Sequence, residues 1–200
     1  MKLKKILTLM CCAVLLVCIS VGATVAYLTS QDSVTNTFSV GKVKITLDEQ
    51  DVDNDTNTAD NVNGRDKANA YHLLPSTTYV KDPTVHVEDG SEDSWLFVKV
   101  ENGIANIEAA TAGEYKTIED QIIANGWTAL ADVENVYYKE YDSESSDKDH
   151  VVFEEFAVSG TVSNDDIATY TNAKIEITAY AIQKQSLATA KDAWTAGGFN

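Results

Sequence analysis

The chain has 200 residues, 31 acidic and 15 basic, and a formal net charge of −16. A hydrophobic fraction of 44%, with three Trp, nine Tyr and five Phe, is enough to fill the core of one domain and argues against disorder over the whole length. The charge argues against nucleic acid as a partner, because a polyanion is repelled and no stripe of Lys and Arg is present to neutralise phosphates.

Met1 to Lys5 is basic, Ile6 to Val25 is almost wholly apolar, and Thr24-Val25-Ala26 ends the run on a small residue. This is the layout of a secretory signal peptide over residues 1–26, cut between Ala26 and Tyr27. A run of about 20 apolar residues is also long enough for an uncleaved anchor, but Ser20, Gly22 and Thr24 thin it just ahead of the cleavage position. Cys18 follows Val17, whereas a lipidation site wants a small residue there. Cys11, Cys12 and Cys18 all lie in this leader, so residues 27–200 have no disulfide, no thiolate zinc site and no cysteine nucleophile. A cysteine-free exported domain is held by packing and by its sheet, which fits bacterial export better than the eukaryotic route.

The rest is dominated by period-two alternation in β-branched segments, the mark of half-buried strands. Val43, Ile45 and Leu47 alternate with polar residues, preceded by Phe38 and Val40. Glu49 to Ala70 is rich in Asp and Asn and reads as an acidic loop. Val85 and Val87 alternate next, and Trp95 to Val100, apolar on both faces, reads as a central strand. Thr117, with Asp120 three residues on and Gly126 at the far end, predicts a short helix. Val136 to Tyr138 and Val151 to Val158 supply further strands, separated by the charged tip Ser143 to Asp149. Lys174 to Gln183 places Ile175, Ile177, Ala179 and Ala181 on one face, and Ser186 is positioned to cap a second helix carrying Leu187, Ala190 and Trp194. Together these predict an all-β fold over residues 27–200: one two-sheet antiparallel sandwich with one or two short accessory helices and an acidic loop around 49–70.

Candidate chemistry is sparse. His72, His86 and His150 share no HExxH pattern and no i, i+4 pair, and His86 alternates away from Val85 and Val87 as a solvent-facing strand residue. Asp51, Asp53 and Asp55 alternate like the start of a calcium loop, making calcium the one cofactor to consider. The sixth position of that loop is Thr56 and the twelfth Val62, which departs from the EF-hand pattern. There is no G-x-S-x-G and no Gly-rich phosphate loop, and Glu154 and Glu155 are adjacent in a strand and face opposite ways. No catalytic residue is assigned. Tyr137, Tyr138, Tyr141 and Tyr170 serve either packing or a sugar- or protein-binding surface.

Ala23 to Leu47 (ATVAYLTSQDSVTNTFSVGKVKITL) resembles the N-terminus of the TasA/camelysin family of exported Gram-positive proteins, whose leaders are processed by the SipW-type signal peptidase. Leu74-Pro75, Lys81-Asp82, Gly90-Ser91 before the strand from Trp95, and ITAYAIQ at Ile177 to Gln183 extend the similarity to about half of the chain. Ser76 stands where the family often has glycine after the turn proline. The resemblance implies a jelly-roll-like sandwich and a secreted or cell-surface location. It also implies kinship both with a fibre subunit of biofilm matrix and with a protein classed as a metalloprotease, although no zinc-protease pattern is present to receive that role.

Three functions follow as expectations. The first is a matrix or surface protein that assembles with its own copies, and with other matrix proteins, through the N-terminal arm freed by cleavage. Val34, Phe38 and Val40 stand at even spacing in that arm, as a strand added to a neighbour's open edge requires. The second is a secreted metal-dependent peptidase. The third is a monomeric surface module that binds glycans through its tyrosine-rich strands. Membrane contact is expected only through the leader before cleavage.

Overall fold

The computed structural model describes residues 4, 5, 10, 42–53, 64–109 and 117–199. The chain divides into two units, Met1–Ser39 and Val40–Asn200. The leader, the cleavage position at Ala26 and Tyr27, the arm residues Val34, Phe38 and Val40, and Asp55 lie outside the described residues. No helix among the described residues is long and apolar enough to cross a membrane.

The second unit is built mostly from antiparallel sheets. Its strands are β1 (Ile45–Gln50), β2 (Arg65–Asp66), β3 (Thr78–Val80), β4 (Thr84–Val87), β5 (Ser94–Asn102), β6 (Glu108–Ala109), β7 (Thr128–Ala129), β8 (Val136–Tyr141), β9 (Asp149–Val151), β10 (Glu155–Val158) and β11 (Ile175–Gln183). They form three sheets, ordered β2-β1-β4-β9, β3-β10-β6 and β11-β5-β8-β7, where the alternation pattern predicts two. The inner faces of all three contribute to one core: Val85 and Val87 from β4, Leu96, Val98 and Val100 from β5, and Phe156 and Val158 from β10. Trp127 lies in this core with 1% of its surface exposed and donates its indole N–H to the Val151 carbonyl at 2.8 Å.

β5 is central, as its two apolar faces require, because β11 and β8 flank it. Its second face carries a smaller core. Trp95 and Phe97 pack there against helix α3 (Ala190–Gly197), with Trp194 and Phe199 ring centroids 5.3 and 5.9 Å from Phe97. The cap of α3 is Thr189, whose hydroxyl accepts from the Asp192 N–H; Ser186, expected as the cap, instead adopts φ 70° in the preceding turn. Thr189 wins because it has an acid three residues on, inside the first helical turn.

Helix α1 (Ile118–Ala124) begins at Thr117 with the expected reciprocal cap to Asp120, and the Glu108 carboxylate accepts the Ile118 N–H at 2.6 Å. An unforeseen helix, α2 (Asn164–Ala168), is capped in the same way by Ser163 and Asp166. Ser76 adopts φ 55° in the turn after Pro75, a left-handed conformation that glycine takes without strain. Gly160 makes room for it, since a Cβ there would lie 2.3 Å from the Ser76 hydroxyl.

Candidate functional site

A cavity of about 930 Å³ in the second unit is bounded by β1, the segment following β2, and the start of β11. Its apolar lining includes Leu47, Ile104, Phe156, Ile167, Ile175 and Ile177. The two strands that flank it both carry open backbone. The Gly103 N–H donates to the Lys174 carbonyl and the Lys184 N–H to the Asp93 carbonyl, each at 2.8 Å. That phase assigns the even-numbered residues of β11 to the β5 ladder and turns the amides of Ile175, Ile177, Ala179, Ala181 and Gln183 to the other side. No strand among the described residues pairs with that side. The same reasoning applies to β1. The Glu88 N–H donates to the Lys44 carbonyl at 2.9 Å, so even residues face β4, and β2 covers only Glu49 and Gln50 of the opposite edge.

The polar floor of the cavity is a buried charge cluster. Glu49 and Asp66 are paired across β1 and β2, with 5% and 1% of their surfaces exposed. Two carboxylates opposite each other repel unless each is compensated. Lys81, 7% exposed, donates its ammonium to Glu49 Oε2, and Asn69 Nδ2 donates to Glu49 Oε1 at 2.9 Å. Asp66 Oδ1 accepts from the Lys67 N–H at 2.5 Å. The Lys81 ammonium also lies 5.8 Å from the centre of the Tyr71 ring, which packs edge-on to Phe156. Burial, then the charges of Glu49, Asp82 and Asp53, push the Tyr71 phenol well above its ordinary value. Removing either partner of the Lys81–Glu49 pair would leave one buried charge uncompensated, at a cost of about 3–5 kcal/mol.

Of the calcium candidates, Asp51 and Asp53 are brought together, and Asp66 joins them with ligand oxygens within 4.8 Å of one another. The partner that sequence reasoning missed is therefore Asp66. It arrives by strand pairing between β1 and β2, a long-range event that spacing alone does not reveal.

The histidines are not gathered into one site. His72 is exposed. His86 lies on β4 opposite Asp149, and His150 lies opposite Val85, which puts the two imidazoles on opposite faces of the sheet. His86 is not simply solvent-facing. Its Nδ1 pairs with Asp149 at 2.7 Å and its Nε2 with Asp48 at 2.9 Å, bridging three neighbouring strands. His150 is buried among core residues with neither ring nitrogen hydrogen-bonded, and its ring stands edge-on to Tyr141.

These environments shift the two groups in opposite directions. Burial pulls His86 down, but the hydrogen bonds and charges of Asp149 and Asp48 outweigh it and raise the group overall. Burial, helped by the Lys139 charge, lowers His150. His86 thus contributes stability that is complete below its unfolded value of about 6.5 and is lost as pH rises through its raised folded value. His150 contributes the reverse: stability is complete above about 6.5 and falls as pH drops toward its lowered folded value. In urea titrations across pH, His150→Phe should remove part of the acid-side loss, and His86→Asn part of the alkaline-side loss. Unchanged pH profiles in both variants would contradict these assignments.

The tyrosines proposed as a binding surface are used for packing. Tyr137 and Tyr141 are buried in the main core, Tyr170 packs against it, and Tyr138 stacks edge-on to Trp95 at 5.8 Å. Compared with protein-family models, with characterised proteins and with solved structures, the chain shows no significant match.

Proposed function

We propose that this is an exported structural protein of the cell surface or biofilm matrix of a Gram-positive bacterium, TasA-like in type. In this reading its three sheets make up a jelly-roll-like sandwich, and its subunits assemble into fibres through the arm that cleavage after Ala26 frees. The observation that carries the reading is the open edge of β11. Nine residues long, with Glu176 its one charged side chain, it lacks the proline and the clustered charge that usually protect a sheet edge. An extended segment can add to it by main-chain hydrogen bonds, with alternate side chains entering the neighbouring cavity. Val34, Phe38 and Val40 have the alternation such a segment needs. A contact from one subunit's arm to the next subunit's edge is heterologous and does not close, so it propagates as a filament.

In this account a SipW-type signal peptidase releases the arm, and the partners are further copies of the chain and other matrix proteins. Calcium acts as a cation that screens repulsion between cleaved subunits, whose 12 basic and 31 acidic residues leave a net charge of −19 once the three lysines of the leader are gone. Purified protein beginning at Tyr27 should form fibres visible by electron microscopy, and more readily as calcium is added. Deleting residues 27–40 should abolish them. Fibres of undiminished length in the deleted protein would rule the mechanism out.

A further inference from the structure

We propose that the domain closes an intramolecular amide cross-link between the side chains of Lys81 and Asn69, with Glu49 as the catalytic residue that carries the protons. The inference rests on how the floor of the cavity is arranged. A single carboxylate holds both reacting groups, Lys81 on Oε2 and Asn69 Nδ2 on Oε1 at 2.9 Å. Asn69 is held on its other side as well: its Oδ1 accepts the Val52 N–H at 2.8 Å and its Nδ2 donates to the Gln50 carbonyl at 2.9 Å. Nucleophile, proton carrier and a backbone donor on the carbonyl oxygen are thus assembled around one carboxamide.

Each part has a chemical role. Lys81 and Glu49 are almost fully buried, and the Tyr71 ring covers the ammonium. Passing a proton from Nζ to Oε2 converts a buried ion pair into two neutral groups and gives a desolvated amine, the nucleophilic form of lysine. Nζ then attacks Cγ of Asn69. Negative charge develops on Oδ1, where the Val52 N–H already points. Nζ loses a second proton through Glu49, and Nδ2 gains one and leaves as ammonia. One C–N bond forms and one breaks. The other proton remains on Glu49 until solvent takes it, and no oxidant or co-reactant is needed. Both side chains line the open cavity, which gives the ammonia a way out. Holding the two groups on one carboxylate supplies the proximity that an uncatalysed aminolysis of an amide lacks.

The cross-link would tie the segment after β2 to the end of β3, in an exported domain with no cysteine after residue 18. It is independent of fibre formation. The test is mass spectrometry of the purified protein. Intact protein should weigh one ammonia less than its sequence from the N-terminus found in the sample, and proteolysis should yield a branched peptide joining Lys81 to Asn69. Glu49→Gln and Lys81→Arg, checked for β structure by circular dichroism, should show the full mass and no branched peptide. The proposal is overturned if wild-type protein yields both side chains unmodified, if its ammonia loss maps to another site, or if Glu49→Gln retains the branch. Should the variants fail to fold, the wild-type digest decides alone.

Discussion

Ala179→Pro is expected to abolish fibre formation while leaving a folded monomer. The Ala179 amide points away from β5, to the edge of β11 with which no strand among the described residues pairs. Proline at that position removes a donor that the subunit's own ladder does not use, and edge strands tolerate it there. Forcing φ toward −65° should cost the monomer about 1–3 kcal/mol, read from a urea midpoint. The neighbouring substitution is the control. Thr178 bonds inward to Lys99 of β5, so Thr178→Pro breaks the central ladder and should destabilise the monomer by about 3 kcal/mol or more. If Ala179→Pro assembles like wild type, β11 is not the acceptor edge.

Trp127→Ala should be among the most damaging single substitutions, at about 3–5 kcal/mol. The indole is 1% exposed, sits in the core shared by the three sheets, and binds the Val151 carbonyl of β9. Truncation removes the packing and leaves that carbonyl without its partner. Since a domain of this size is stable by about 5–15 kcal/mol in total, the variant should unfold at much lower urea. Trp127→Phe keeps most of the volume and should fall between the two. A loss below about 1 kcal/mol for the alanine variant would mean that the indole does not knit the sheets together.

What could be read from the sequence was what depends on local pattern. The two apolar faces of Trp95 to Val100 place β5 in the centre of its sheet, and the alternation of Ile175 to Ala181 describes the inward face of β11. Thr117 and Asp120 mark a helix start that the structure contains. The same signature at Ser163 and Asp166 has no apolar period behind it to mark a helix, because α2 is only five residues long and has no fully buried residue. Strands of two residues, such as β2, β6 and β7, leave no period to detect. The cavity floor was hidden for another reason. Glu49, Asn69 and Lys81 come together over separations of 20 and 32 residues, and only the pairing of β1 with its neighbours sets that meeting. The acidic stretch from 49 to 70 read as solvated loop because its composition is polar, yet Glu49 and Asp66 within it are buried and compensated. The environment of His86 is equally non-local, since its two carboxylate partners come from strands on either side.

The most direct test of the central claim combines N-terminal sequencing with sedimentation of the protein recovered from outside the cell. The account predicts a chain that begins at Tyr27 and sediments as large, heterogeneous assemblies. A chain that still begins at Met1, or one that begins at Tyr27 and stays monomeric at high concentration with calcium present, would contradict it.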